Sequence, residues 1–481
     1  METTPPFKGI KAVLAALILL LAAGCAAPAP PADPVAALGP EARIGFVVAD
    51  PTSGEVLAAQ NADTAFPPAS TAKLTTMVAA LELLGPDYRF RTRLRATGRP
   101  GADGTLSGDL ILEGGGDPLL APQDLLGLAQ RLHDLGLRKV TGRFLFDETL
   151  LPTGPAINPD QPAEAQYNPG FGALALDFNR WRLLWDGASI TRLPPLPLHR
   201  VARSAGAAEP GREVTWQADG WRIAADAAAN GDRFLPVKAP GLAAAEAFRL
   251  IAAQVGIALP PPAAGKAAPG MPVVADLVGR PLAEVARLGL EHSNNLVSEL
   301  VGMTAARALG AQPQDLEASA AALSAWLAKA AGAGTDWTGW TLMNHSGLSR
   351  HSRVTPRQMV AVLRFAQGRR YDGWPFASLL PAAGHRRAFR DRFLDEAAAL
   401  RLWAKTGTLH YAKGLAGYLQ AASGRRLLFA LYIADADARA RYDALPPAAR
   451  DHPDEERRAG DWIDKAEAAE QALVLGWLKG F

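Results

Sequence analysis

One cysteine, Cys25, serves the whole chain of 481 residues. No disulfide can form within the chain, and the Cys/His spacings of zinc sites are missing. The eight histidines are spread out. No metal, haem or other cofactor is therefore expected. Excess charge of either sign is missing too: 50 basic and 48 acidic residues leave a net charge of only +2. That balance gives no reason to expect a nucleic-acid partner or a strongly acidic one. The basic pairs Arg386-Arg387 and Arg425-Arg426 read as solvated surface. The N-terminal apolar run, Ala12 to Ala23, falls short of the about 20 residues that a membrane span needs. No internal repeat is found.

That same run fits the apolar core of a secretory leader, with Lys8 and Lys11 ahead of it. It ends in Leu21-Ala22-Ala23-Gly24-Cys25, which resembles a bacterial lipobox. The resemblance implies that Cys25 is lipidated and becomes the mature N-terminus, anchoring the protein to a membrane from the periplasmic side. Ala22 stands where the pattern prefers a large aliphatic residue. An ordinary leader cut elsewhere, with Cys25 incidental, is the other reading. Residues 1–25 are thus expected to be a leader, and the Ala/Pro-rich stretch within 26–42 a tether.

Hydrophobic residues make up 49% of the chain, enough for sizeable cores, and the length suits two or three domains. Two apolar runs, Ile44–Val48 and Val56–Ala59, flank the turn residues Asp50-Pro51-Thr52-Ser53-Gly54 and predict a β-hairpin. A helix is predicted from Ser70, with Leu74, Met77, Val78 and Leu81 at helical spacing. Residues 93–272 are rich in Gly and Pro with short apolar runs, and predict an insertion built mainly of strands, closed by a helix over Leu242–Val255. Helical periodicity returns at Leu282–Leu290, Asn295–Leu309 and Leu316–Ala331. A second hairpin is predicted at Gly414–Ala422 and Leu427–Ile433, and a last amphipathic helix at Ala459–Leu478. Strands at both ends with helices between predict one discontinuous α/β (α+β) domain, formed by residues 43–92 and 273–481 around the insertion.

Three motifs carry chemistry: Ser70-Thr71-Ala72-Lys73, Ser293-Asn294-Asn295 and Lys405-Thr406-Gly407-Thr408. A serine hydroxyl is a poor nucleophile until a base takes its proton. Residues i and i+3 share a helix face, so Lys73 can be that base for Ser70. The lysine must be neutral to serve, which burial or a neighbouring positive charge, such as Lys405, would promote. Pro67 and Pro68 delay the helix, which leaves Ser70 near its N-terminus, where free N–H groups favour an oxyanion. Ser293 and Asn295 can point into one cleft, the first relaying a proton and the second holding a peptide carbonyl; an N-cap for the following helix is the alternative. Lys405 to Thr408 read as an edge strand able to pair with an extended peptide. Gly407 there leaves room for close approach. Lys405, Thr406 and Thr408 are placed to hold a terminal carboxylate.

S-x-x-K, S-x-N and K-T-G in this order are the motif trio of penicillin-binding proteins and β-lactamases. The chain resembles the class C low-molecular-mass penicillin-binding proteins, the D-Ala-D-Ala carboxypeptidase/endopeptidases. The resemblance extends to Pro68–Lys73, to Gly114-Gly115-Gly116-Asp117-Pro118, to His345-Ser346-Gly347-Leu348-Ser349-Arg350 and to the strand pair Lys405–Ala422. It implies a penicillin-binding transpeptidase/β-lactamase-like domain, an inserted second domain and a small third domain near 196–232. It also implies that Ser70 is acylated by peptidoglycan stem peptides and by β-lactam antibiotics. Arg392 matches the arginine that some relatives set against the diamino-acid side chain, with Tyr167 as the companion aromatic. Pro162 stands at the position of the companion acid, which leaves Asp160 or Glu164 to replace it. The turn before K-T-G departs from the family pattern, reading Gly384-His385-Arg386-Arg387-Ala388, and Asn344 replaces a usual aspartate. Two other readings remain at this level: a β-lactamase, and a catalytically weak wall-binding lipoprotein of the same fold.

Overall fold

The computed structural model describes residues 33–481 except 206–211, 218–219, 333, 385–388, 390–391 and 451. Cys25, the leader and the start of the tether lie outside the described residues. So do His385–Ala388 of the divergent turn.

The first hairpin forms as the pattern predicts, from β1 (Arg43–Ala49) and β2 (Val56–Gln60). Its turn is set by Asp50, whose Oδ1 accepts from the backbone N–H groups of Thr52 and Ser53. A one-turn segment, Ala69–Thr71, then leads into α1 (Ala72–Leu84).

The chain next enters β3 (Arg89–Ala96), β4 (Thr105–Leu106) and β5 (Leu110–Glu113). Helix α2 (Pro122–Asp134) follows, then β6 (Lys139–Val140), β7 (Phe144–Asp147), β8 (Arg180–Asp186) and β9 (Ser189–Leu193). Helix α2 is an addition to the expected run of strands. It buries Leu125, Leu128, Ala129 and Leu132, and Pro122 starts it while the Asp124 side chain accepts from Ala121 N–H. A small sheet of β10 (Arg200–Arg203), β11 (Val214–Gln217) and β12 (Gly220–Ile223) falls within residues 196–232. Strand β13 (Asn230–Pro236) pairs with β8, and α3 (Pro240–Gln254) begins two residues before the expected start because Pro240 suits the first helical turn. Strand β14 (Pro262–Ala264) and β15 (Val273–Pro281) complete a five-stranded sheet ordered β14-β7-β5-β3-β15. Its core combines Phe144, Phe146, Phe248 and Leu94 with the helices α2 and α3.

Helices α4 (Leu282–Glu291), α5 (Asn295–Ala308), α6 (Leu316–Ala330) and α7 (Pro356–Gln367) follow. The first three keep the predicted spans almost to the residue. The last, unforeseen, is opened by reciprocal capping between Thr355 and Gln358. Strands β16 (Leu402–Leu409), β17 (Ala412–Gln420) and β18 (Arg426–Ala434) then join the first hairpin in an antiparallel sheet ordered β16-β17-β18-β1-β2. N- and C-terminal pieces therefore share one sheet, and β16 is one of its two edges, with Pro381–Ala383 bonded along its first half through Ala383 N–H to the Leu402 carbonyl and Ala404 N–H to the Pro381 carbonyl. On one face lie α1, α5 and α7 around Met77, Val301 and Met359. On the other lies the last helix, α9 (Pro453–Gly480), after the short α8 (Ala436–Ala444). Helix α9 starts a turn and a half earlier than its apolar pattern implied, with Asp454, Glu455 and Glu456 in its first turn, where the helix dipole favours acids. Among the described residues no helix is long and apolar enough to cross a membrane.

Candidate active site

The nucleophile candidate sits between two strained points. Ala69, immediately before Ser70, has φ +46°, and Ser293 across the cleft has φ +51°. Non-glycine residues rarely adopt such angles, and they persist where surrounding packing imposes them. Ser70 lies in the one-turn segment ahead of α1, and Lys73 in the first turn of that helix. Lys73 Nζ lies 2.9 Å from Ser70 Oγ, 2.7 Å from Asn295 Oδ1 and 2.8 Å from the Ser346 carbonyl oxygen. The S-x-x-K and S-x-N motifs, 222 positions apart, thus meet on one amine.

Lys73 is completely buried. Burial disfavours its charged form and lowers its pKa to about 7, while the negative charge of Glu299 pulls the other way. The expectation that Lys405 supplies the lowering charge needs correction. Lys405 is buried as well, and burial first, then the charges of Lys73, Lys413 and Arg392, hold it well below its ordinary value.

Glu299 is the acid that the motif reading passed over. It lies on α5 one turn after Asn295, fully buried. Its two carboxylate oxygens accept from the backbone N–H groups of His345 and Ser346 at 2.9 and 3.0 Å. The same Ser346 offers its carbonyl to Lys73. Glu299 therefore fixes the loop that binds Lys73. Burial raises its pKa to about 7 against the pull of those hydrogen bonds and of Lys73. Behind it, His345 bonds to Ser319 Oγ through Nε2, and burial alone pushes its pKa down to about 3, so the imidazole is neutral. Asn344, where the resemblance implies an aspartate, accepts through Oδ1 from the N–H groups of Gly347 and Leu348.

Two glycines let the walls close on Ser70. At Gly347 (φ +77°) a Cβ would stand 1.9 Å from the Ala69 carbonyl. At Gly407 on β16 a Cβ would stand 2.8 Å from the Pro68 carbonyl and 3.0 Å from Ser70 N. Gly407 thus brings the edge strand against the backbone that carries Ser70.

The S-x-N motif divides its labour. Asn294 is the N-cap of α5, accepting from Val297 N–H, so the capping alternative holds for the middle residue. Asn295 reaches Lys73 through Oδ1, and its Nδ2 donates to the Tyr167 carbonyl. Ser293 lines two adjoining recesses. One, of about 770 Å³, holds Ser70, Asn295 and Tyr167; the other, of about 950 Å³, holds Lys405, Thr406 and Arg392. Thr408 is shared between them. Lys405 Nζ donates to the Thr406 carbonyl, which turns it along its own strand.

The peripheral candidates are less concentrated. Tyr167 is 48% exposed, with its hydroxyl bonded to Gln161, and it is its backbone carbonyl that touches the centre. Asp160 lies 3.9 Å from Arg350, and Glu164 is paired with Arg212 at 3.0 Å. Arg392 lines the Lys405 recess, yet its guanidinium is bound to Glu470 of α9 at 2.7 Å and lies 3.7 Å from Glu467.

The family model described as D-Ala-D-Ala carboxypeptidase 3 (S13) matches residues 33–187 and 209–450. Carboxypeptidase DacB of Mycolicibacterium smegmatis is 28% identical over 426 residues, covering 84% of this chain and 79% of that protein. The D-alanyl-D-alanine carboxypeptidase of an Actinomadura species is also 28% identical, covering 79% of this chain and 76% of that protein. Penicillin binding protein 4 (dacB) of Haemophilus influenzae superposes with a TM-score of 0.73 at 22% identity, covering 84% of this chain and 92% of that one. A second structure of that protein holds a β-lactam. With the family model spanning both the N-terminal Ser70–Lys73 segment and the C-terminal edge strand, the chain belongs to the D-Ala-D-Ala carboxypeptidase 3 (S13) family.

Proposed function

We propose that this serine D-Ala-D-Ala carboxypeptidase acts through an acyl-enzyme on Ser70, with Lys73 as its general base. One observation carries the reading: a fully buried lysine, with a pKa lowered to about 7, whose Nζ is 2.9 Å from the serine oxygen. Neutral Lys73 takes the Ser70 proton as Oγ bonds to the carbonyl carbon of the penultimate D-alanine. The oxyanion is received by the backbone N–H groups of Ser70 and Thr408, a role supported by the closeness of Gly407 to Ser70 N. The C–N bond then breaks, and Ser293 relays the proton to the departing D-alanine amine. Water hydrolyses the ester by the reverse proton route, which restores Ser70. Lys405, Thr406 and Thr408 receive the terminal carboxylate. A β-lactam enters the same acylation, as the β-lactam complex of the Haemophilus relative suggests. Cleavage of cross-links is the same reaction with a larger leaving amine.

Tyr167 and Arg392 serve the recognition of the stem peptide, the first from the wall of the Ser70 recess and the second by adding positive charge around Lys405. The 43–92 and 273–481 segments form the catalytic domain around the 93–272 insertion, with a small third unit near 196–232. The leader and Cys25 place the enzyme in the periplasm on a lipid anchor; a Cys25→Ser variant is expected to leave the membrane fraction or remain unprocessed. The decisive experiment is intact-protein mass spectrometry after benzylpenicillin treatment. A penicilloyl adduct that disappears in Ser70→Ala is the expected result, and an unmodified wild type overturns the reading.

A further inference from the structure

Lys413 belongs to none of the three motifs, and its side chain is almost completely buried at 1% exposure. It faces Thr408 across the β16–β17 pair. Its Nζ donates to Thr408 Oγ1 at 2.6 Å and to Glu467 Oε1 of α9 at 2.7 Å. Edge strand, neighbouring strand and terminal helix are thus tied at one ammonium.

The chemistry of that ammonium is one-sided. It carries three donors and no acceptor. The Thr408 oxygen must therefore be the acceptor in this contact, and the hydroxyl's own proton is turned away from Lys413. Thr408 is exposed at the junction of the two recesses, so the proton is directed into the cleft. The Glu467 carboxylate beside Lys413 offsets part of its charge, and what remains lowers the pKa of the neighbouring Lys405, so removing the Lys413 charge would favour carboxylate binding there while removing its donor disfavours it at Thr408.

We infer that Lys413 is a positioning residue that makes the Thr408 hydroxyl an obligate hydrogen-bond donor, and so selects substrates whose leaving amino acid ends in a free carboxylate. The inference rests on the proposed carboxylate role of Thr408. A carboxylate offers only acceptors there, whereas a C-terminal amide can present an N–H against the fixed donor, and two facing donors repel.

Lys413→Met keeps the length and removes the donor. Its kcat/KM is measured on a diacyl-D-Ala-D-Ala peptide and on the C-terminally amidated form. A loss of about tenfold is expected on the free acid, mainly through KM, with little change on the amide, because one charge-assisted hydrogen bond is loosened. Lys413→Gln, which retains a donor, should recover part of the loss. In a Thr408→Val background, Lys413→Met should add nothing. Equal losses on both peptides, or a full further loss in that background, overturn the positioning role. If the Met variant misfolds around the bared Glu467 carboxylate, the double variant Lys413→Met/Glu467→Gln carries the same test without an unpaired charge. Thr408→Val that keeps the preference for the free acid would instead overturn the carboxylate role of Thr408 itself. Benzylpenicillin adduct formation at Ser70 reports separately on the acylation chemistry.

Discussion

The floor of the cleft and its wall are built on different principles. On the floor, Ser70, Lys73, Asn295, Ser346 and Glu299 are linked through buried and part-buried hydrogen bonds of 2.7–3.0 Å. On the wall, Tyr167 is half exposed, and Asp160 stands 3.9 Å from its nearest cation. Burial makes the floor decisive, since desolvation shifts pKa values by whole units and an unpaired buried group is costly. The wall lies in water, where contacts are weaker and exchange readily. The proposed mechanism thus concentrates chemistry where substitution is least tolerated, and specificity where it is most tolerated. Variants should sort along this line.

The largest effects belong to the floor. Ser70→Ala and Lys73→Ala should each reduce carboxypeptidase turnover by at least about 10³-fold, with no additional loss when combined, because the two act as a unit. Steady-state kinetics with a D-Ala release assay checks this. Additive losses would mean that Lys73 does not act on Ser70. Because the base must be neutral, acylation should increase as pH rises through about 7, the lowered value at Lys73.

Glu299→Gln gives a sharper test. Its carboxylate holds two backbone N–H groups and also raises the pKa of Lys73 by its charge. Replacing one acceptor oxygen by an NH₂ loosens the Ser346 loop, with an expected loss of about 10–100-fold in kcat/KM. Removing the negative charge lets Lys73 lose its proton sooner, so the acid limb of the pH profile should move to lower pH. A lower rate with an unmoved limb would reduce Glu299 to a loop support.

Lys405→Ala lies between floor and wall. It should cost about tenfold more on a free-carboxylate peptide than on its amide. Burial and three neighbouring cations hold Lys405 well below its ordinary pKa, and an arriving carboxylate favours its charged form. Binding should therefore take up a proton and weaken as pH rises, measurable by calorimetry in buffers of different ionisation heat.

The floor was also the more legible region in the sequence. The three motifs named Ser70, Lys73, Ser293, Asn295 and Lys405, and each needs neighbours of fixed type and spacing. The β1–β2 and β17–β18 hairpins were equally readable, since alternating or continuous apolar runs bounded by turn residues leave little choice. Glu299 escaped because a single acid inside an apolar helix has no pattern of its own; its partners, the N–H groups of His345 and Ser346, are brought to it only by the fold. Lys413 escaped for the same reason, with a partner 54 positions away in Glu467. Helix α2 was there to be read in Leu125, Leu128, Ala129 and Leu132, but the Gly- and Pro-rich flanks suggested strands. Arg392 shows the converse. The family resemblance set it against the diamino-acid side chain of a ligand, and the helix α9 carboxylate of Glu470 that also binds it could not be placed from sequence order.

The smallest effect should come from Tyr167→Ala, and it isolates the wall from the floor within one residue. Tyr167 contributes its backbone carbonyl to Asn295 Nδ2 and its exposed ring to the recess. Alanine keeps the carbonyl and removes only the ring. A short diacyl-D-Ala-D-Ala peptide, which ends near Ser70, should be turned over at the wild-type rate. A full stem peptide with its diamino-acid side chain should lose about two- to fivefold in kcat/KM, the scale of one exposed aromatic contact. Unequal losses would confine the ring to specificity. Equal losses on both peptides would mean that the ring orders the Tyr167 carbonyl and, through Asn295, the base itself, which would erase the division between wall and floor at that position.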